Sequence, residues 1–209
     1  MDVQTLPQVL LSIMDILCLT IAIRAFYFYA RTHNDILFTL GLSMGTIAVS
    51  AFSTLLIRNA IPSLNGNAAW IKYVGPTCSF LFIFLNSLAR SGQQIRILKR
   101  WHILCTAFFL TFLLLTPALP PFSSPGEEVA LNTLRGFVCL LSFIRYMMIY
   151  TTKETRFSLF MCLAFMLFTI SYATLTPQLF DPHLLVFYNV GTGIRIIGYG
   201  ILLTAFSIK

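Results

Sequence analysis

Seven apolar stretches, each about as long as a bilayer is thick, predict an all-α polytopic membrane protein, a transmembrane seven-helix bundle with its N-terminus outside and its C-terminus in the cytoplasm. Three observations carry this reading. The chain has 209 residues and is 57% hydrophobic but only 10% charged, whereas a soluble domain carries about 25% charged residues. A hydrocarbon core roughly 30 Å thick is crossed by about 20 helical residues, so a chain of this length holds seven spans and short connections. Basic residues gather in alternate connections, which sets orientation. Backbone groups in lipid must bond to one another, which helices achieve within one segment, and runs this long exclude barrel strands of about ten residues.

The spans fall at about 6–30, 36–57, 69–89, 102–119, 131–152, 157–176 and 183–207, one integral membrane domain over 1–209. The chain starts MDVQTLPQVL, without a basic n-region or a cleavage site, and this reads as the beginning of the first span rather than a removable signal. Asp15 lies at mid-depth in that span, and Arg24, with Tyr27 and Tyr29, anchors its inner end. The tight turn RTHND (31–35) leads to a second span rich in small residues, in which Gly41 and Gly45 form a small-xxx-small pair for close helix packing. A turn-rich segment, RNAIPSLNGNA (58–68), precedes the third span, where Pro76 should kink the helix and Asn86 needs a partner. SGQQIRILKRW (91–101) reads as a basic loop. Its Arg96, Lys99 and Arg100 suit contact with anionic lipid on the cytoplasmic side or with a partner protein.

The fourth span ends at PPFSSPGEEVA (120–130), the strongest breaker in the chain. Glu127 and Glu128 there read as a solvated helix N-terminus, favoured by the helix dipole. Arg145 lies in the fifth span, close enough to the inner interface for its long side chain to snorkel. KETR (153–156) turns the chain into the sixth span. The seventh, HLLVFYNVGTGIRIIGYGILLTAF, sets Gly191, Gly193, Gly198 and Gly200 around Arg195, with Tyr188, Asn189, Thr192 and Arg195 roughly on one face.

Short connections make successive helices antiparallel neighbours and imply a closed ring in which the first and seventh helices touch. One side of the membrane then receives eight basic residues (Arg31, Arg90, Arg96, Lys99, Arg100, Lys153, Arg156 and Lys209). The other receives three, Arg58, Lys72 and Arg135, with the acidic Asp2, Glu127, Glu128 and Asp181. That bias puts the N-terminus outside, and the compact loops suit a prokaryotic inner membrane. Asp15 and Arg195 fall roughly 13–18 Å below the outer boundary, and Arg145 about 21 Å, at 1.5 Å rise per residue. Ionisable groups at such depth face the bundle interior, and Asp15 and Arg195 are expected to form an ion pair between the terminal helices. The ligand-binding candidates are therefore Asp15, Arg195, Tyr188, Asn189, Thr192 and Arg145.

Several chemistries are disfavoured. The five cysteines all lie inside apolar runs without a CxxC pair, as small buried hydrophobes do. The histidines, His33, His102 and His183, fall at span ends or in loops, which argues against haem and against a metal cluster. No lysine stands in the seventh span to hold retinal, and no cofactor motif is present. The net charge of +7 is accounted for by membrane orientation without nucleic acid. No catalytic motif marks an enzyme. Helix number and orientation resemble seven-helix sensory receptors at the level of fold. The expected function is a receptor-like or regulatory module that senses a small or lipidic ligand and acts through a partner chain or homo-oligomer. A small solute or ion transporter or channel, and a non-catalytic structural subunit of a membrane complex, are the alternatives.

Overall fold

In the computed structural model, residues 5–61, 63, 67, 69–119, 125–180 and 184–205 are described. Asp2, Pro120, Pro121, Asp181, His183 and Lys209 lie outside them, as does most of the turn before the third span. The described residues form α1 (Thr5–Thr32), α2 (Asp35–Ala60), α3 (Ala69–Leu88), α4 (Gly92–Leu114), α5 (Pro125–Lys153), α6 (Arg156–Phe180) and α7 (Leu185–Ala205), with a short 3-10 turn at Thr116–Ala118. All seven α-helices are long and apolar enough to cross a membrane.

Two boundaries correct the sequence reading. Segment 91–101 is not a loop but the first turns of α4. Ser91 caps that helix, its hydroxyl accepting from the Gln94 backbone N–H while the Gln94 side chain accepts from the Ser91 N–H. This reciprocal cap satisfies two otherwise unpaired donors, so the helix starts ahead of its apolar run. His102 is consequently mid-helix, buried, and stacked on Phe82 with ring centroids 4.3 Å apart. α5 likewise begins at Pro125, whose fixed φ suits a first helical turn.

The ring closes, but with six helices. α1 packs on α2, α2 on α3, α3 directly on α5, α5 on α6, α6 on α7, and α7 back on α1. α4 lies outside, against α2 and α3. The expected seven-membered ring is not formed, because α5 packs on α3 in the place that chain order would give to α4. The Tyr73 hydroxyl donates to Glu128 Oε2 at 2.7 Å, and Arg145 Nε donates to the Ser87 carbonyl at 3.2 Å. α4 is held by a different device, in which the Phe109 ring occupies the notch at Gly75. A Cβ at Gly75 would fall 2.6 Å from that ring. Gly75→Val is expected to lever α4 off the ring while the six-helix core persists, read as faster proteolysis near Ser91 with an unchanged unfolding midpoint for the remainder.

At one end of the bundle, both tight turns are built alike. His33 (φ 49°) and Glu154 (φ 48°) are left-handed, and their N–H groups donate to Tyr29 and Tyr150 carbonyls at 2.8 Å each. The next residues, Asn34 and Thr155, cap α2 and α6 through their side-chain oxygens. We call this the hairpin end. Glycine favours this conformation, so Glu154→Gly is expected to raise stability by about 0.5–1 kcal/mol, measured by thermal unfolding in detergent. Lys99 of α4 also reaches this end, where its Nζ lies 2.6 Å from Asp35 Oδ1 and 2.8 Å from the Tyr29 hydroxyl.

The middle of the ring is an aromatic plug. Phe80, Phe165 and Phe168 are fully buried, with Tyr146 and Tyr199 nearly so. Phe80 meets Phe168, Tyr172 and Phe165 at centroid distances of 5.7, 6.0 and 6.3 Å. Phe165 stacks on Tyr146 at 5.7 Å, and Phe168 leans on Tyr199 at 4.7 Å.

Candidate functional site

Above that plug, towards the end opposite the hairpins, the ring surrounds a partly open cavity of about 460 Å³. Its walls are of two kinds. On one side α1 and α2 supply apolar side chains, among them Leu11, Met14, Ile47 and Leu55. On the other, α3, α5, α6 and α7 supply charged and aromatic groups. The wall extends from Lys72, Glu128 and Gln178, near their helix ends, down to Arg195 and Tyr199.

α5 builds one polar stripe. Glu128, Asn132 and Arg135 stand at i, i+4 and i+7, hence on one helical face. Glu128 accepts the Tyr73 hydroxyl proton. The Asn132 Nδ2 donates to the Tyr172 carbonyl at 3.2 Å. Arg135 is 5% exposed, and its Nε has no hydrogen-bond partner among the described residues. Its guanidinium carbon lies 4.8 Å from the Tyr73 ring centre and 5.3 Å from that of Tyr172.

α7 delivers the second guanidinium. Arg195 lies 4.7 Å over the same Tyr172 ring, and its Nε donates to the Ser171 hydroxyl at 3.2 Å. That hydroxyl in turn donates to the Gly191 carbonyl at 2.7 Å. The register is set by close α6–α7 packing, since a Cβ on Gly191 would come within 2.9 Å of Leu175 and one on Gly198 within 2.7 Å of Phe168. Gly193 and Gly200 have no such neighbour, so only half of the expected glycine packing is present.

Two cations therefore converge on one tyrosine ring. Cation–π attraction holds each there, at about 2 kcal/mol where water is excluded. Like charges in one site oppose one another, and among the described residues neither guanidinium has a carboxylate within ion-pair distance. The α5–α7 side of the cavity thus carries Arg135 and Arg195 with Glu128, and the α1–α2 side is mainly apolar, interrupted by Ser50 and Thr54.

The expected Asp15–Arg195 ion pair is absent. α1 and α7 are neighbours as predicted, but α1 turns Leu11 and Met14 to the cavity, and Asp15 is rotated about 100° from Met14. Its Oδ1 is buried without a hydrogen-bond partner among the described residues. Matching depth alone did not specify which face each residue occupies. Of the other candidates, Tyr188 and Arg195 line the cavity. Asn189 and Thr192 do not; Thr192 is packed inside the bundle, and the Asn189 Oδ1 is buried without a hydrogen-bond partner among the described residues. Arg145 lies near the hairpin end, its guanidinium on the last turn of α3, where a cation meets the negative end of the helix dipole. Asn86 is buried, and its Oδ1 lacks the expected partner among the described residues. Of the basic trio, Arg96 and Arg100 are exposed while Lys99 is committed to Asp35.

Arg135, Tyr172, Tyr73, Asn132 and Glu128 were not among the sequence candidates. The i, i+4, i+7 spacing of Glu128, Asn132 and Arg135 was the available signal, masked by reading Glu128 as solvated and Arg135 only as a charge flanking a span. Compared with known proteins, the chain matches no family model, no curated protein and no solved structure.

Proposed function

We propose that the protein is a receptor-like membrane module that takes a small ligand into the cavity between its helices and acts through a partner, without conducting the ligand across. The observation that carries this reading is the aromatic plug. A conduit needs a wet path from end to end, and below Tyr172 and Tyr199 the ring is filled by Phe80, Phe165, Phe168 and Tyr146. The charge bias of the connections supports an orientation with the cavity end outside and the hairpin end in the cytoplasm. The exposed Arg31, Arg90, Arg96, Arg100, Lys153 and Arg156 at the hairpin end then form a basic surface suited to an acidic partner or anionic lipid.

The test is twofold. Proteoliposomes should swell no faster than protein-free vesicles in gradients of glycerol, alanine, sodium acetate or sodium benzoate. Gentle extraction followed by native mass spectrometry should show a retained small molecule or a co-migrating chain. Solute entry above the protein-free rate, abolished by Ala51→Trp in the cavity wall, would establish a transporter and overturn the reading.

A further inference from the structure

We infer that the cavity's ligand is an amphiphilic organic anion, a carboxylate or phosphate carried on an apolar body, with its charge held between Arg135 and Arg195 beside Tyr172. This rests on the reading of the cavity as a ligand site and names the class of ligand it takes.

Charge is the first argument. The lining holds three cations, Lys72, Arg135 and Arg195, against one carboxylate, Glu128, and Glu128 already accepts the Tyr73 hydroxyl. An anion placed there offsets the charge of both guanidiniums and supplies an acceptor for Arg135 Nε, which has none among the described residues. A cationic ligand would add a further like charge to the site.

Geometry is the second. Guanidinium donors form a planar fork that matches carboxylate or phosphate oxygens. Arg195 is fixed from behind by Ser171, and the Asn132 bond to the Tyr172 carbonyl ties α5 to α6 at the level of the ring both cations share. Arg135 reaches the site nearly excluded from water, its Nε without a hydrogen-bond partner among the described residues, so a charge delivered there is paired at low effective dielectric.

Size and the opposite wall are the third. At about 460 Å³ the space falls within the range of small-molecule sites, roughly 300–1,000 Å³, far more than one bare inorganic anion fills. Leu11, Met14, Ile47 and Leu55 face the arginines across it, and they suit an apolar body. The ligand can arrive from water as a short aromatic acid or from the bilayer as a single-chain acid, because the recognised chemistry is the same.

The experiment uses the full chain purified in uncharged detergent and, separately, in nanodiscs of neutral lipid. Binding of benzoate, decanoate, benzyl alcohol, decanol and inorganic phosphate is measured by titration calorimetry and by the shift in unfolding temperature. The acids are expected to bind and stabilise, with the matching alcohols at least tenfold weaker. Benzoate binding best marks a water-borne source, and decanoate binding best from nanodiscs marks the membrane. Arg135→Gln and Arg195→Gln are each expected to weaken acid binding roughly tenfold to a hundredfold, the span of one charge-assisted hydrogen bond. The exposed Arg24→Gln, away from the cavity lining, should leave acid binding unchanged, and Arg195→Lys, which keeps the charge but not the fork, should fall between. Circular dichroism and the unfolding midpoint separate loss of site from loss of fold.

Alcohols binding as tightly as acids, acids binding the glutamine variants as tightly as the native chain, or no acid binding at millimolar concentration would each overturn the assignment. Tight alcohol binding would leave the ligand-sensing reading standing. Acid binding accompanied by acid flux would keep the anion and remove the receptor.

Discussion

Phe80→Ala is expected to cause the largest loss of stability from a single core truncation. The ring is fully buried and touches Phe165, Phe168 and Tyr172 at once. In water-soluble cores Phe→Ala costs about 3–5 kcal/mol, as transfer free energy plus a cavity term. Lipid tails are as apolar as the core, so part of the transfer term vanishes in a membrane. The void and the lost dispersion contacts remain, and the expected loss lies near the lower end of that range. Reversible unfolding in mixed detergent micelles measures it. Phe80→Leu should recover more than half of the deficit, because it refills volume without restoring the edge-to-face geometry. A loss no greater than that of a lipid-facing Phe108→Ala would contradict the central position of Phe80. The same truncation removes the support under Tyr172, so acid binding should weaken alongside stability.

Gly198→Val should cost nearly as much by the opposite route, overfilling. The new Cβ would lie 2.7 and 3.0 Å from two Phe168 ring carbons and 3.4 Å from the Ala164 carbonyl. Phe168 cannot swing aside, being fully buried against Phe80, Phe165 and Tyr199. α7 must therefore back away from α6, at a typical overpacking cost of about 1–3 kcal/mol. That movement would also carry Arg195 from Ser171 and Tyr172, so the variant should lose ligand binding together with stability. Gly200→Ala, on the same helix with open space around it, should be neutral or stabilising by up to about 1 kcal/mol, since alanine is the better helix former. Equal loss for the two variants would show that α7 does not pack on α6 through these positions.

The membrane-spanning elements were legible because length and apolarity are summed properties that a one-residue error does not disturb. What was lost required knowing how each helix is rotated. Asp15 and Arg195 share a depth, yet α1 presents Leu11 and Met14 to the cavity instead. Arg195 was found because charge stands out in an apolar helix, whereas Tyr172 was missed because a tyrosine in such a run is unremarkable until two guanidiniums are placed over its ring. The ring order was beyond reach for a similar reason. Antiparallel succession implied that α4 stands between α3 and α5. The side chains that seat α5 on α3, Tyr73 with Glu128 and Arg145 with the Ser87 carbonyl, act between segments far apart in sequence. The extra turns of α4 were readable in principle from Ser91 and Gln94 as a capping box, a local signal outweighed by the run of arginines and lysine after it.

The closure of the ring by α1 against α7 has a consequence for biogenesis. α1, α2, α3 and α4 can associate as they leave the ribosome, because each meets a partner made just before it. The flank of α3 that receives α5 stays bare until α5 is synthesised, and the seam between α1 and α7 joins helices far apart in the sequence. Bringing such distant segments together is the slow part of folding. Arg195 and Tyr199 travel on α7, so the cavity lacks one wall until that helix is inserted. A chain stalled before α7 would expose the polar faces of α5 and α6 to lipid, where membrane quality-control proteases can recognise it.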